Sequence, residues 1–392
     1  HVAKQGALKQ MPQAAGWARE AWKLWDAAHK PGQQPPWSDD LIAWHARAAL
    51  RAPAGDTARW ALLQRAIAAL PTAEQNDATW AYWKARALAA TAKVGPEGDA
   101  ARTASQALLE GAAAQHGFYG LLAQEALGRA PVLPPAPAPL TPAEREAPRS
   151  QPGFARALQL IALGLRSEGV REWNFTLRGL AERELLAAAQ LACEREVWDR
   201  CINTSERTRT EADFAQRYPT PFRDTIMARA RDTGLEAAVL FGLIRQESRF
   251  LADARSSVGA GGLMQLMPAT AKWTAKKVGL DFRPAQVTEP DINVQLGAAY
   301  LKRVLDDFGG SLPMAAAAYN AGPGRPRKWR EGAALEPAAW AETIPFNETR
   351  DYVKKVLTNS LYYGALLATP AATPPTLRAR LGPPVGPREA SA

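Results

Sequence analysis

A tryptophan-containing helical segment occurs twice in the first quarter of the chain. Residues 44–50 read WHARAAL, and residues 83–89, which begin 39 positions later, read WKARALA, with another helical pattern at residues 60–70 between them. A period of about 40 residues is typical of stacked helical hairpins, which bury their apolar faces only against neighbouring hairpins. We therefore predict an all-α superhelix here, with the tryptophans in its core rather than in a ligand site.

Length and composition predict two or three globular domains. The 392 residues exceed what one hydrophobic core usually serves, and 47% hydrophobic and 22% charged residues are ordinary for a globular chain. No uninterrupted apolar run approaches the roughly 20 residues of a membrane-spanning helix, so no transmembrane segment is expected. Residues 131–152 are rich in proline and predict a connector, and the proline-rich tail from residue 369 is expected to be disordered.

The distribution of histidine and cysteine excludes several kinds of catalytic site. The four histidines, His1, His29, His45 and His116, all lie in the first third of the chain. Later residues therefore cannot form a Ser/His/Asp or Cys/His triad or a histidine-ligated metal site, and two cysteines cannot form a four-thiolate zinc site. The glycines of residues 259–262 do not fit a dinucleotide-binding motif. Carboxylates remain the leading catalytic candidates, and no metal or organic cofactor is expected.

The chain is basic, with a formal net charge of +9. Its densest basic group is Arg325, Arg327, Lys328 and Arg330, which either meets an anionic substrate or forms a solvated loop. No lysine- and arginine-rich block or nucleic-acid-binding motif accompanies this group. A nucleic-acid partner is therefore not expected.

Cys193 and Cys201 lie eight residues apart in a helical pattern. On one straight helix, which rises 1.5 Å per residue, they would be about 12 Å apart and too distant for a disulfide. A break of the helix into a hairpin would let them pair, as is common in an oxidising compartment. The sequence leaves both alternatives open, a disulfide and two independent buried thiols.

One carboxylate falls at the end of an apolar helical stripe. The apolar residues of 239–244 recur at helical spacing, and continuing their stripe reaches Glu247. Loss of hydration on an apolar face raises the pKa of a carboxyl group, which suits a general acid near neutral pH. The alternative is a partly exposed structural glutamate that pairs with Arg245 or Arg249.

Four segments in this order resemble the motif set of the soluble lytic transglycosylases: Glu247-Ser248, residues 256–268 (SSVGAGGLMQLMP), residues 318–324 (AYNAGPG) and residues 342–353 (ETIPFNETRDYV). Upstream, residues 116–123 (HGFYGLLA) resemble the segment that closes the helical superhelix of that family. Each motif alone is weak, but the set covers most of residues 218–367 and is specific. The chain departs from the commoner pattern at Gly261, where serine or another small residue often stands, which leaves the details of the subsites open.

The resemblance implies an all-α fold with a minor β-segment at the glycine motif. Its expected parts are an α-superhelical domain over 1–139, a helical linker domain over 140–214, a goose-type-lysozyme-like transglycosylase domain over 215–368 and the Pro-rich tail 369–392. It also implies a periplasmic enzyme that cleaves the bond between N-acetylmuramic acid and N-acetylglucosamine in peptidoglycan and forms 1,6-anhydromuramyl ends. Peptidoglycan strands are the implied partner, with other cell-wall enzymes as further candidates. The chain begins at His1 without a signal segment, so it is expected to be a mature or trimmed product.

By the same resemblance Glu247 acts first as general acid and then as general base. The substrate-binding candidates lie in the other motifs and are Ser256, Gly259, Gln265, Met267, Tyr319, Asn320, Glu348 and Tyr352. Glu342 is instead expected to cap a helix. Two alternatives stay open, a goose-type muramidase in which Glu247 activates water and a non-catalytic peptidoglycan-binding scaffold built on the helical repeats.

Overall fold

The structure is a computed structural model that describes residues 1–30, 32–130, 133–368 and 376–387. Helices dominate it, so the prediction of an all-α fold is confirmed. The chain forms two compact units, one of His1–Pro131, Arg303–Leu361 and Thr373–Ala392 and one of Val132–Lys302 and Tyr362–Ala372. The finer division at residues 139, 214 and 368 stays a prediction.

The tryptophan repeat lies in the helices that open the first unit. These are α1 (Val2–Leu8), α2 (Ala14–Ala28), α3 (Asp39–Arg51), α4 (Ala58–Ala68), α5 (Thr72–Gln75), α6 (Ala78–Thr91), α7 (Pro96–Ala113) and α8 (Phe118–Ala126). Successive helices pack together, α3 with α4 and α6 with α7. Trp44 and Trp83 are buried in this core, and Trp83 donates from Nε1 to the hydroxyl of Tyr119 at 3.1 Å.

The first helix of the second unit lies where the sequence predicted a connector. Its elements are α9 (Pro142–Ser150), α10 (Pro152–Ala162), α11 (Arg166–Thr176), α12 (Glu182–Glu194), α13 (Trp198–Ser205), α14 (Phe214–Arg217), α15 (Arg223–Thr233), α16 (Ala237–Ser248), α17 (Pro268–Val278), a 3₁₀ helix (Pro284–Thr288) and α18 (Pro290–Asp307), whose last residues belong to the first unit. The connector prediction is wrong for 142–150. Thr141 and Glu144 form a reciprocal capping box there, and Pro142 suits the first helical turn.

Cys193 and Cys201 form a disulfide in the structure. Cys193 lies in α12 and Cys201 in α13, and the chain turns between them, where Glu196 adopts a left-handed backbone conformation (φ 55°). This break brings the two Cα atoms to 4.9 Å. Of the two alternatives that the sequence left open, the structure therefore contains the hairpin with its disulfide.

The last part of the chain returns to the first unit and includes part of the predicted tail. Its helices are α19 (Leu312–Ala321), α20 (Gly324–Trp329), α21 (Pro337–Glu342), α22 (Asn347–Leu367), which ends in the second unit, and α23 (Leu377–Leu381). The expectation of disorder is wrong for 376–387, because Leu377, Leu381 and Val385 are buried. The carboxylate of Glu125 accepts from the backbone N–H of Leu377, which ties α23 to α8. Residues 369–375 and 388–392 of the predicted tail lie outside the described residues.

Among the described residues, no helix is both long enough and apolar enough to cross a bilayer.

His45 is buried in α3 without a hydrogen-bond partner for either ring nitrogen among the described residues. Its ring is 1% exposed and lies edge-on to Trp22 and Trp37, at centroid distances of 6.0 and 5.4 Å. Burial lowers the pKa of this imidazole to about 4, since the charged ring would lose its hydration. The folded protein therefore binds this proton less readily than the unfolded chain, whose histidine titrates near pH 6.5.

We expect the free energy of unfolding to fall as the pH drops from 6.5 towards 4, and His45→Phe to reduce this fall. The stabilisation from the neutral ring is complete above pH 6.5, and about 2 to 3 kcal/mol of it is lost by pH 4.5. Urea unfolding at pH 7.0 and 4.5 measures the difference, with tryptophan fluorescence as the signal. An acid-induced loss of the same size in wild type and variant would show that other groups cause it.

Candidate active site

Glu247 lies in the last turn of α16 and is half-buried. The residues before it on the apolar stripe, Leu243 and Ile244, are fully buried in the core. The helix ends directly after Ser248, because Arg249 and Phe250 take left-handed backbone conformations (φ 50° and 65°). The carboxylate therefore stands at the point where a buried helix meets the surface, as its place at the end of the stripe predicted.

Ser248 connects the end of α16 to the glycine segment. Its hydroxyl donates to the backbone oxygen of Leu263 at 2.8 Å and accepts from the backbone N–H of Phe250 at 3.1 Å. The residue next to Glu247 thus fixes both the sharp end of the helix and its distance from residues 259–263. Ser248 belongs to the first of the four motifs, but its sequence context does not predict this role.

The glycine segment makes a close approach that a side chain would prevent. Gly262 has φ 80°, and a Cβ atom built on it would lie 2.2 Å from Nδ2 of Asn293 and 2.4 Å from the backbone oxygen of Val287. The segment folds back on itself through isolated β-bridges, Arg255 with Gly261 and Gly261 with Leu266. These bridges are the minor β-structure that the family resemblance implied.

Asn293 of α18 holds this segment in place, a role that the sequence did not predict. It is fully buried, accepts from the backbone N–H of Met264 at 2.7 Å, and donates to the backbone oxygens of Gly261 (3.0 Å) and Val287 (2.6 Å). One amide thereby satisfies three buried backbone groups, which would otherwise be costly. In the sequence Asn293 is one of two amide side chains of α18, together with Gln295, and no local pattern separates them.

The predicted residues of the glycine segment use their polar groups within the loop. Ser256 accepts from the backbone N–H of Ala260 at 2.9 Å, and Gln265, at φ 46°, donates from Nε2 to the backbone oxygens of Ala254 (3.1 Å) and Gly262 (2.8 Å). Gly259 and Met267 are exposed, so they are the members of this set that offer surface to a ligand.

The first unit brings together the predicted residues of the two later motifs. Tyr319 is half-buried at the end of α19, after a run of fully buried alanines. Next to it, Asn320 donates from Nδ2 to Oε1 of Glu348 at 3.2 Å and accepts from the hydroxyl of Thr349 at 2.7 Å. Glu348 is exposed, whereas Tyr352, one turn later in α22, is only 4% exposed and belongs mainly to the core.

Glu342 was expected to cap a helix. It is instead the centre of a buried charge network. It is fully buried at the end of α21, where Oε1 accepts from Nη2 of Arg47 at 3.0 Å and Oε2 accepts from Tyr119 at 2.7 Å and Lys354 at 3.0 Å. Burial alone would raise the pKa of Glu342, but the charges of Lys354, Arg47 and Arg350 outweigh it and hold the pKa at about 2. The network joins α3, α8, α21 and α22.

Arg350 extends the network to the first turn of α22. Its guanidinium donates to the backbone oxygen of Ile344 at 2.9 Å and to Oδ1 of Asn347 at 2.6 Å. These bonds fix the start of the helix that carries Glu348. The exposed carboxylate of Glu348 therefore projects from a rigid turn.

Comparison with known proteins identifies three domain families in the chain. The transglycosylase SLT domain matches residues 224–338, the soluble lytic murein transglycosylase L domain matches 148–210, and the soluble lytic transglycosylase helical domain matches 343–371. The soluble lytic murein transglycosylase of Salmonella typhimurium is 33% identical over 304 residues, which are 76% of this chain and 45% of the relative. That of Escherichia coli K12 is 31% identical over 301 residues, again 76% and 45%. The chain thus spans about half the length of these relatives.

Solved structures of lytic transglycosylases are also similar to this chain. An inactive mutant of the lytic transglycosylase Slt from Pseudomonas aeruginosa superposes with a TM-score of 0.80 at 32% identity, over 96% of this chain and 57% of that one. The 70-kDa soluble lytic transglycosylase from Escherichia coli gives 0.69 at 28% identity, over 87% and 53%. The E. coli enzyme has also been solved in complex with bulgecin A, with a TM-score of 0.70 to this chain.

Proposed function

Because the chain is related to the soluble lytic transglycosylases through three of their domain models, we propose that it is a lytic transglycosylase of peptidoglycan. The observation that carries the proposal is the setting of Glu247. It is a half-buried carboxyl group at the surface end of a buried helix, and the hydrogen bond from Ser248 to Leu263 ties it to a rigid glycine segment. Partly buried carboxyl groups of this kind are the usual general acids of glycosidases.

In the proposed reaction Glu247 takes part in two proton transfers, first as a general acid and then as a general base. It first gives its proton to the glycosidic oxygen between N-acetylmuramic acid and N-acetylglucosamine, and the bond from that oxygen to C1 of the muramyl residue breaks. The carboxylate then takes the proton of the muramyl C6 hydroxyl, whose oxygen bonds to C1. The 2-acetamido group of the substrate supports the positive charge at C1 between the two steps. The product carries a 1,6-anhydromuramyl end, and Glu247 is protonated again.

The remaining predicted residues are proposed to serve the substrate in two ways, by direct contact or by shaping the segments that make that contact. Gly259, Met267 and Glu348 are exposed and can touch the glycan directly. A larger set shapes the loops that carry them, and consists of Ser256, Gln265, Tyr319, Asn320 and Tyr352. The hydrogen bonds of Ser256 and Gln265 within their own loop and of Asn320 to Glu348, together with the burial of Tyr352, support this division.

Product analysis tests the proposal against its nearest alternative, a goose-type muramidase. Intact sacculi are digested in water enriched in ¹⁸O, and the released muropeptides are analysed by mass spectrometry. Intramolecular attack gives ends about 18 Da lighter than reducing ends and incorporates no ¹⁸O, because water is not a reactant. Reducing ends labelled with ¹⁸O would establish the hydrolase instead.

The other alternative is a scaffold that binds peptidoglycan without cleaving it. Binding of sacculi with no release of soluble muropeptides would establish that alternative.

The proposed peptidoglycan substrate implies a periplasmic location. The oxidising environment of that compartment is also consistent with the disulfide between Cys193 and Cys201. Other cell-wall enzymes stay candidate partners.

A further inference from the structure

One carboxylate holds the chain on both sides of Glu247. Glu206, the residue directly after α13, accepts at Oε1 from Nη2 of Arg245 at 2.7 Å and at Oε2 from Nη2 of Arg249 at 3.1 Å. Arg245 lies two residues before Glu247, and Arg249 lies two residues after it. The contact therefore connects the hairpin of α12 and α13 to the end of α16.

The two arginines are fixed to different degrees. The side chain of Arg245 is 6% exposed, its Nε donates to the backbone oxygen of Arg217 at 2.7 Å, and its guanidinium carbon lies 4.2 Å from the centroid of the Tyr218 ring. The side chain of Arg249 is 38% exposed. Glu206 therefore joins the exposed residue that follows α16 to an arginine that is fixed in the core.

The segment that carries Glu206 is itself held firmly. Thr204 and Ser205 are fully buried, and the hydroxyl of Thr204 accepts from Nε1 of Trp173 at 2.9 Å. The backbone oxygen of Ser205 accepts from Nε of Arg217 at 3.3 Å. The disulfide between α12 and α13 holds the same helix. A carboxylate on such a support can determine where its partners lie.

The end of α16 needs a contact of this kind. Arg249 and Phe250 both take left-handed backbone conformations, which are unfavourable for residues other than glycine and persist only where surrounding contacts hold them. Phe250 is held by burial, with 2% of it exposed, and Arg249 by its ion pair with Glu206. Burial opposes the charge of Glu206, but the charges of Arg245 and Arg249 outweigh it and hold its pKa below the usual value. The holding carboxylate is therefore ionised at neutral pH.

We propose that Glu206 is a positioning residue for the proton transfers of Glu247 and acts through Arg245 and Arg249. A general acid must lie within hydrogen-bond reach of the oxygen that it protonates, so a small displacement of the last turn of α16 lowers the rate while the substrate contacts remain. Glu206 belongs to the segment that matches the L domain family, residues 148–210, so that domain contributes to the reaction. The inference rests on the proposed function for the reaction itself.

The test compares two carboxylates of the same segment. Glu206→Gln removes the charge and keeps nearly the same shape. Glu211→Gln is the matched control, because its side chain is 33% exposed, against 35% for Glu206, and pairs with Arg183 instead. The full chain is used, and kcat and KM are measured for the release of 1,6-anhydromuramyl products from peptidoglycan strands. Hydrogen exchange, followed by mass spectrometry of peptides that cover residues 245–250, measures the end of α16 without substrate.

We expect Glu206→Gln to lower kcat about tenfold and to change KM by less than about twofold. Amide exchange in residues 247–250 should become about fivefold faster, since their restraint is lost. Glu211→Gln should leave all three quantities within about twofold of wild type. Arg249→Gln, at an exposed side chain, should reproduce the loss of kcat. The double variant of Glu206 and Arg249 should be no more than about twofold slower than either single one, because the two residues act through one contact.

Unchanged exchange or unchanged kcat in Glu206→Gln would overturn the positioning role. Losses that multiply in the double variant, or an equal loss in Glu211→Gln, would overturn it as well, since separate or general effects would then account for the rates. Unfolding midpoints confirm that each variant is folded. A wild-type protein that releases no anhydromuramyl products would overturn the proposed function instead, and the exchange rates would still decide whether Glu206 fixes the end of α16.

Discussion

Glu247→Gln is expected to lower kcat on peptidoglycan strands about a thousandfold while the protein keeps its fold. General acid–base catalysis contributes between about a hundredfold and ten-thousandfold, and here one group supplies both proton transfers. Glutamine has nearly the shape of glutamate but cannot donate or take up the proton. Initial rates of formation of 1,6-anhydromuramyl products measure the effect. The free energy of unfolding, measured with urea, should change by no more than about 0.5 kcal/mol.

The matched control is Glu236→Gln at the other end of the same helix. Glu236 is the exposed N-cap residue of α16, so its substitution makes the same chemical change in the same element. We expect its kcat to stay within about twofold of wild type, as for surface substitutions away from a reacting group. Glu247→Gln with wild-type turnover would exclude Glu247 as the proton donor and remove the basis of the proposed mechanism.

The position of Glu247 could be predicted because local patterns determine it. The apolar stripe of α16 fixes which residues face the core, and the motif fixes which carboxylate follows the stripe. The buried tryptophans of the repeat follow from the same helical periodicity. In both cases the position follows from helical periodicity along the element itself. The role assigned to Glu247 depends instead on the motif set, which covers most of residues 218–367.

Residues that act across long sequence separations could not be predicted in this way. Asn293 binds backbone atoms of Gly261 and Met264, about 30 residues away, and Glu342 binds Arg47 and Tyr119, which precede it by more than 200 residues. Nothing in the composition near either residue reveals its partners. Such contacts depend on how distant helices pack, and that packing is not encoded in the local period.

The C-terminal segment shows the opposite error, in which local composition misled. The abundance of proline after residue 368 is typical of disordered tails. Two features outside that composition order residues 376–387, namely the carboxylate of Glu125, which caps α23, and the backbone pairing of Leu335 with Val385. Proline does not prevent order where tertiary partners satisfy the neighbouring backbone groups.

Glu342→Ala is expected to lower the free energy of unfolding by about 3 to 5 kcal/mol. Removing one partner of a buried ion pair leaves the others charged and desolvated, and this cost exceeds the gain from the pair itself. Here Arg47 and Lys354 would remain with side chains only 11% and 14% exposed, and the Tyr119 hydroxyl would lose its acceptor. Urea unfolding at pH 7 measures the loss, since Glu342, with a pKa of about 2, is ionised there in the folded protein.

A second carboxylate of the same short helix provides the comparison. Glu336 is the N-cap residue of α21 and pairs with Arg86 at 2.7 Å, but its side chain is 44% exposed. Because water can replace the carboxylate at an exposed pair, Glu336→Ala should cost no more than about 1 kcal/mol. Adding Lys354→Met to Glu342→Ala should recover at least about 1 kcal/mol, since it removes one of the uncompensated buried charges. If the two alanine variants lose equal stability and the added methionine recovers none, the buried network does not hold α3, α8 and α22 together, and the fixed start of α22 that presents Glu348 needs another explanation.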